Sequence, residues 1–230
     1  MIKVDVSNNL HGIEQDIREA CEKSGRSPEE VKLIAVTKYV TIERAKEAVE
    51  NGIKDLGENR PEGLLEKKNA IGDEATWHFI GTLQSRKVKE IIDVVDYIHS
   101  LDRMSLAKEI NKRASRVIDC FVQVNTSGEE SKHGLEPSEV SEFIDKLVDY
   151  PNIRVAGLMT MAPNIEDETE LRNYFRKLKE LRDEISNRHL SHAPCMFLSM
   201  GMSNDYKIAI EEGATHIRIG TKLVGAELKR

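Results

Sequence analysis

The sequence predicts an α/β fold, a single-domain (β/α)₈ TIM barrel. Eight short apolar runs rich in β-branched residues recur along the chain, and charged stretches of helical spacing lie between them. Strands that alternate with helices indicate βαβ units and a parallel sheet, and eight such units favour a closed barrel. The alternative is an open, doubly wound sheet. It is disfavoured because no G-x-G-x-x-G motif follows the first strand.

The elements follow one another in a regular order. A first helix is predicted over residues 6–22, where Leu10, Ile13 and Ile17 share one face. Ser27, Pro28 and the glutamates after them have the pattern of a helix start. Strands are predicted at residues 32–37, 55–57, 77–80, 97–99, 118–124, 154–158, 196–199 and 216–219. Helices are predicted at residues 42–50, 86–94, 106–114, 140–148, 168–185 and 206–211. We expect one domain over residues 1–230, with residues 1–30 as a helical extension packed against the barrel.

Composition excludes several classes of protein. A hydrophobic content of 39% is that of a globular chain, and 34 Lys and Arg against 40 Asp and Glu disfavour a nucleic-acid-binding protein. No apolar run approaches the ~18 residues of a transmembrane helix, and the charged N-terminus does not resemble a signal peptide. Cys21, Cys120 and Cys195 are too far apart for a zinc motif and odd in number. We therefore expect a cytoplasmic protein with no membrane partner and no structural disulfides.

Lys38 is the first candidate functional residue. The active face of a barrel is formed by the carboxyl ends of its strands, where most of the predicted strands here finish in a polar residue. The two-residue period of a strand puts Ile34, Val36 and Lys38 on one face. If that face is the interior, desolvation lowers the pKa of the Lys38 ammonium and makes the amine a nucleophile for a carbonyl. The alternative is a solvated lysine just past a strand end.

The loops after strands seven and eight are the second candidate feature, because barrels often bind phosphate there. Gly201 permits close approach of the backbone, and Ser203 is suited to be both the N-cap of the next helix and a phosphate ligand. Gly220 and Thr221 offer further N–H groups and a hydroxyl. The alternatives are an ordinary helix cap and an ordinary turn. The two loops together favour an anion site.

Arg218 is the third candidate, since it shares a strand face with His216 and Gly220. An arginine inside a barrel requires a partner. That partner is either a carboxylate such as Glu58 or a ring nitrogen or carboxylate of a ligand. An amine, a phosphate-binding loop and an internal arginine together suit a phosphorylated aldehyde.

The sequence offers no metal site and no serine hydrolase motif. His78 and His99 are predicted to be hydrogen-bonded residues of the barrel rather than ligands. Cys120 and Cys195 fall in strand-like runs and are predicted to fill the core.

The chain resembles the pyridoxal phosphate homeostasis proteins, also called proline synthetase co-transcribed homologues. The matching segments run in order from residue 35 to residue 225, nearly the whole chain, and are specific as a set. They are AVTK at 35–38, GEN at 57–59, WHFIG at 77–81, LQ at 83–84, HS at 99–100 with Asp102, QVN at 123–125, GLM at 157–159, AP at 162–163, LSMGMS at 198–203 with Asp205, and RIGT at 218–221 with Gly225.

The resemblance implies a barrel of the alanine racemase N-terminal type that binds pyridoxal 5'-phosphate (PLP) as a Schiff base on Lys38. It implies that Ser203, Gly220 and Thr221 hold the phosphate and that Arg218 faces the pyridine nitrogen. It also implies that Asn59 and Met200 line the pocket. One position departs from the family, which has an aromatic residue after Gly-Glu-Asn where this chain has Arg60 and then Pro61. This departure affects the outer part of the pocket and not the lysine.

Three functions remain open on the sequence. The first is a non-enzymatic PLP protein of vitamin B6 homeostasis, which buffers the cofactor or delivers it to apo-enzymes. PLP is the best electron sink when its ring nitrogen is protonated beside an acidic partner. An arginine there cannot accept a hydrogen bond from that proton, so it keeps the nitrogen unprotonated and the sink weak, which favours this function. The second is a PLP-dependent amino-acid racemase, which needs a second acid–base group opposite Lys38. Racemases take that group from another domain or subunit. We expect no second domain here, because the chain ends five residues after Gly225. Tyr39 and Tyr206 are the tyrosines expected near the barrel mouth, but neither belongs to an added domain. The third is a Schiff-base aldolase without a cofactor. We expect a monomer or a weak dimer and no catalytic residue.

Overall fold

The eight predicted strands are all present and form a closed, parallel barrel in a computed structural model, which describes residues 4–129 and 131–226. The strands are β1 (Lys32–Val36), β2 (Asp55–Glu58), β3 (Thr76–Phe79), β4 (Tyr97–Leu101), β5 (Ile118–Gln123), β6 (Ile153–Met159), β7 (Phe197–Ser199) and β8 (His216–Ile219). Each strand pairs with the next in the chain, and β1 pairs with β8, with Lys32 opposite His216. The barrel prediction is therefore confirmed.

Helices cover the outside of the barrel. Within the described residues they are α1 (Val6–Ser24), α2 (Ile42–Glu50), α3 (Pro61–Ile71), α4 (Val88–Ile91), α5 (Met104–Arg113), α6 (Pro137–Lys146), α7 (Glu168–Ser186), α8 (Tyr206–Glu211) and α9 (Thr221–Val224). Helix α3 is absent from the sequence prediction, and the predicted helix over 86–94 is a 3-10 turn followed by the single turn of α4. No helix among these combines the length and apolar composition needed to cross a membrane.

Helix α1 is the predicted N-terminal addition to the barrel. The Asp5 carboxylate accepts a hydrogen bond from the Asn8 N–H at 3.0 Å and caps the helix, and Gly25 ends it with a φ of 67°. The buried face of α1, which includes Ile13 and Ile17, packs against α8 and α9. The predicted helix start near Pro28 is a single 3-10 turn, Pro28–Glu30, because β1 begins two residues later.

The barrel interior is unusually polar and aromatic. The rings of His78, His99, Phe121 and His216 meet inside it, and His99 stacks on Phe121 with ring centroids 4.3 Å apart. The three histidines are buried, as the sequence predicted for His78 and His99. Cys120 and Cys195 are buried in the hydrophobic core, which also agrees with the prediction.

Candidate functional site

A cavity of about 450 Å³ opens at the carboxyl ends of the strands. Its walls come from the residues at or just after the ends of β1, β2, β3, β5, β6, β7 and β8. Six of the seven site residues predicted from the sequence line it: Lys38, Asn59, Ser203, Arg218, Gly220 and Thr221. The folding of the barrel therefore brings together groups that lie as far as 183 residues apart in the chain.

Lys38 lies in the wall of this cavity beside Val36, as the strand period predicts. Its side chain is half-buried, and the ammonium lies 4.8 Å from the centre of the Tyr39 ring. The Lys38 Nζ makes no hydrogen bond or ion pair with any residue that the structure describes. The amine is therefore available to a ligand in the cavity.

A buried ion pair supports the backbone just before Lys38. The Glu58 carboxylate lies behind β1 and accepts hydrogen bonds from the Thr37 hydroxyl at 2.6 Å and from the Lys67 Nζ at 2.8 Å. Lys67 also donates to the Thr37 carbonyl at 3.0 Å, and both charged side chains are at most 5% exposed. Because Thr37 points outward to this pair, Lys38 points inward to the cavity.

The loop after β7 has unpaired backbone donors, and one of them, the Ser203 N–H, belongs to a residue that lines the cavity. The Asp205 carboxylate accepts a hydrogen bond from the Met202 N–H, which closes the turn, and burial raises the pKa of this carboxyl. The N–H groups of Ser203 and Asn204 make no hydrogen bond within the described chain. The N-cap of α8 is Asp205, so the prediction of Ser203 as that cap is wrong. The Ser203 hydroxyl is left without a partner among the described residues.

Gly201 serves the packing of this loop. Its φ is +98°, and a Cβ added there would lie 2.7 Å from the Ala209 Cβ on α8. Glycine is therefore required for the loop to pass close to α8, which differs from the close approach to a ligand predicted for it.

The loop after β8 supplies a second set of donors. Gly220 is the N-cap of α9, and its carbonyl accepts from the N–H groups of Leu223 and Val224. The N–H groups of Thr221 and Lys222 have no acceptor within the part of the chain that the structure describes. Ser203 and Thr221 both line the cavity, so each of the two loops has one unpaired N–H group on a lining residue, and clustered backbone N–H groups of this kind bind anions.

Arg218 is buried beside these loops. Its guanidinium donates to the Ser199 Oγ at 2.5 Å and to the Thr160 carbonyl at 3.0 Å. Burial lowers its pKa to about 10, and the nearby Asp205 carboxylate opposes that shift. Glu58, suggested by the sequence as a protein partner, pairs with Lys67 instead. Arg218 therefore lines the cavity with guanidinium N–H groups that have no acceptor among the described residues.

Two residues are not where the sequence predicted them. Met200 was expected to line the pocket, but its side chain is fully buried in the hydrophobic core. Ser199 uses the inward-facing position of β7, so its neighbour points outward. Tyr206 was expected near the mouth, but its hydroxyl donates to Asp16 on α1 and the ring is buried. Tyr39 does line the cavity.

Arg60, which stands where the family has an aromatic residue, lies at the start of α3. Arg60 is exposed and is the N-cap of α3, with Pro61 at the first helical position. It is not among the residues that line the cavity.

Several lining residues were not singled out as site residues by the sequence. They are Val36, Ile80, Gly81, Thr82, Gln123, Met161, Met202 and Gly225, with Tyr39. Met161 and Met202 are each 36% exposed and form an apolar edge at the mouth. Most of these residues lie within three positions of the end of a predicted strand, so strand-end position is the pattern that could have identified them.

A second, larger cavity of about 640 Å³ lies at the opposite end of the barrel. It is lined by α1 and by residues at the amino ends of β1 and β2, among them Lys32 and Asp55. Functional groups of barrel proteins lie at the carboxyl ends of the strands, so we assign the functional site to the smaller cavity.

Known proteins resemble this chain in sequence and in fold. The family model for the alanine racemase N-terminal domain matches residues 9–227. A protein of Aquifex aeolicus named pyridoxal phosphate homeostasis protein is 44% identical over 96% of this chain and 98% of its own. The structure of PipY from Synechococcus elongatus with PLP bound has a TM-score of 0.83 and 29% identity, covering 96% of this chain and all of that one.

Alanine racemases share the fold at a greater distance. The crystal structure of the enzyme from Corynebacterium glutamicum has a TM-score of 0.69 and 16% identity, with 95% of this chain covering 61% of that chain. This likeness shows the barrel fold alone. The chain therefore belongs to the alanine racemase N-terminal domain family and, within it, to the group whose curated members are named pyridoxal phosphate homeostasis protein.

Proposed function

We propose that this protein binds PLP as a Schiff base on Lys38 and acts in PLP homeostasis, by buffering or delivering the cofactor, rather than by turning over a substrate. The observation that carries the proposal is a lysine amine without a hydrogen bond or ion pair among the described residues, in the wall of a cavity that is also lined by Arg218 and by Ser203 and Thr221 with their unpaired N–H groups. PLP carries an aldehyde, a phosphate and a pyridine nitrogen, which are the three groups that such a cavity would bind.

The fit to PLP rests on the chemistry of the donors. The Lys38 amine would bond covalently to the aldehyde carbon, and the cavity volume lies in the usual range for small-molecule sites. The Ser203 and Thr221 loops would take the phosphate through their N–H groups and hydroxyls, with Gly220 between them. Arg218 would donate to the ring nitrogen, and Asn59 would contact the ring from the opposite loop.

A homeostatic role is supported by what lines the cavity. When bound, PLP would supply an electron sink for reactions of amino acids. That sink is strongest when the ring nitrogen is protonated, and an arginine, which only donates hydrogen bonds, would keep this nitrogen unprotonated and the sink weak. A racemase also needs acid–base groups on both faces of its substrate. Among the described lining residues the titratable side chains are Lys38, Tyr39 and Arg218, and Tyr39 lies next to Lys38. Because arginine is always protonated, the described lining offers only Lys38 and the adjacent Tyr39 for acid–base chemistry.

Replacing Lys38 with alanine is expected to abolish covalent PLP binding. The wild type mixed with PLP develops a near-visible absorbance band, and borohydride reduction fixes the cofactor on the peptide that contains Lys38. The matched control is Lys54→Ala, which removes an exposed lysine at the opposite end of the barrel and keeps the band. Equal labelling of the Lys38→Ala variant at another lysine would contradict the proposal.

A second measurement separates homeostasis from racemisation. PLP-loaded protein is incubated in D₂O with L-alanine or L-serine, and the Cα proton is followed by NMR. We expect no exchange above the rate of free PLP, but transfer of the cofactor to an added PLP-free aminotransferase, measured by the activity it regains. Enzymatic exchange with formation of the D-amino acid would replace the proposal with the racemase function.

A further inference from the structure

A continuous line of hydrogen bonds crosses the inside of the barrel. It runs from Arg218 to the Ser199 Oγ at 2.5 Å, from Ser199 to the His99 Nδ1 at 2.8 Å, and from the His99 Nε2 to the His78 Nδ1 at 2.9 Å. It ends where the His78 Nε2 meets the Asp55 Oδ1 at 2.9 Å. We call these five residues the interior relay. One end faces the cofactor cavity and the other lines the cavity at the amino ends of the strands.

The chemistry of the two ends fixes the direction of every bond in the relay. Arginine only donates, so Ser199 accepts from it and gives its own proton to the His99 Nδ1. His99 then carries its proton on Nε2 and donates to His78, which in turn donates from Nε2 to the Asp55 carboxylate. The opposite direction would leave the Ser199 proton without an acceptor among these partners.

This direction requires both imidazoles to be neutral. Burial lowers the pKa of His78 and lowers that of His99 well below its usual value, and the Asp55 carboxyl has a pKa below its ordinary value because His78 donates to it. The charged groups that act on His78 are Asp55, Lys32 and Asp96, and His99 also faces Arg218 and His216. The relay therefore has a single cation at one end and a single carboxylate at the other.

We propose that Ser199, His99 and His78 are positioning residues that aim the Arg218 guanidinium at the ligand in the cavity. Arg218 makes no ion pair with any described residue, and without Ser199 its remaining contact would be one backbone carbonyl. A hydroxyl polarised through two imidazoles toward a carboxylate is a stronger acceptor than an isolated one, so the relay orients and stabilises a buried cation. This role rests on the proposed function, because it assigns the target of Arg218 to the PLP ring nitrogen.

The direction of the relay can be measured without any ligand. Long-range ¹H–¹⁵N NMR spectra of the protein at neutral pH are expected to show His78 and His99 as neutral imidazoles protonated on Nε2. A proton on Nδ1 of either ring, or a cationic ring, would overturn the relay as drawn. Variants Ser199→Ala and Asp55→Asn assign the signals, because the first changes the partner of His99 and the second that of His78.

The positioning role is tested by comparing two ligands. The first is PLP, and the second is its carbocyclic analogue, in which a CH group replaces the ring nitrogen. Ser199→Ala is expected to weaken PLP binding about tenfold, the value of one hydrogen bond to a charged group, and to change binding of the analogue far less. The matched control is Ser100→Ala, since the Ser100 hydroxyl is buried and has no hydrogen-bond partner among the described residues.

Two further variants protect the test from a folding defect. Ser199→Thr keeps a hydroxyl and is expected to keep the wild-type ratio of the two affinities. Asp55→Asn, at the end of the relay away from Arg218, is expected to shift the ratio in the same direction as Ser199→Ala but less. An equal loss for both ligands, or an unchanged ratio in Ser199→Ala, would overturn the proposal. A wild type that binds neither ligand would instead refute the PLP function, while the NMR result would still test the relay.

Discussion

Replacing Lys67 with methionine is expected to lower the free energy of unfolding by about 3–5 kcal/mol, because it leaves a buried carboxylate without its cation. Lys67 and Glu58 are 5% and 2% exposed, and their Nζ and Oε1 atoms lie 2.8 Å apart. Among the described residues, the Thr37 hydroxyl is the one partner that the Glu58 carboxylate keeps after the substitution. The cost arises from the charge left behind and not from the length of the lost side chain.

Chemical denaturation of three variants measures this effect. Lys68→Met is the matched control, since Lys68 is the next residue of α3 and its partner Asp73 is 97% exposed; we expect it to cost less than about 1 kcal/mol. The double variant Glu58→Gln with Lys67→Met is expected to recover much of the loss, because no buried charge remains. If Lys67→Met and Lys68→Met cost the same, the ion pair does not hold this part of the barrel.

Lowering the pH from about 7.5 to about 5.5 is expected to lower the free energy of unfolding by up to about 4 kcal/mol, about 1.4 kcal/mol for each of three buried histidines. Burial lowers the pKa of His78 and His99, and it lowers that of His216 to about 3. Below about pH 6.5 these histidines bind protons in the unfolded chain but stay neutral in the folded protein, so the free energy of unfolding falls as the pH falls. The raised pKa of Asp205 acts in the opposite direction, as one group against three.

Urea unfolding curves at several pH values measure this slope. His216→Phe removes one of the three groups, and it also removes a buried Nε2 that has no hydrogen-bond partner among the described residues. We expect this variant to lose about two thirds as much stability over the same pH range. His11→Gln, on the exposed side of α1, is the matched control. A slope in His216→Phe equal to that of the wild type would contradict the explanation.

The sequence predicted the barrel because each strand is a short apolar run rich in β-branched residues, bounded by charged stretches of helical spacing. It missed α3 for a physical reason. The buried face of this helix contains Leu64, Lys67 and Ile71, so a lysine occupies a position where an apolar residue would complete the helical pattern. Pro61 followed by an acidic residue is the start pattern that could have located the helix.

The site was predictable to the extent that strand ends converge in a barrel. Lys38 and Arg218 were identified from the two-residue period, and the phosphate loops were identified from their place after β7 and β8. Contacts across the barrel were not predictable, since they depend on the stagger between strands. The register shift in β4 between Ile98 and Leu101 is one such detail, and His99 lies within it.

The closure of the barrel by β1 and β8 has a consequence for how the chain folds. Lys32 and His216 pair across nearly the whole sequence, so the last ladder joins segments that start far apart in the unfolded chain. Pairings of this kind make folding slow. Until they form, β1 and β8 each present an open parallel edge that can pair with another molecule. The same ladder that completes the barrel therefore sets the interval during which a nascent or refolding chain is exposed to aggregation.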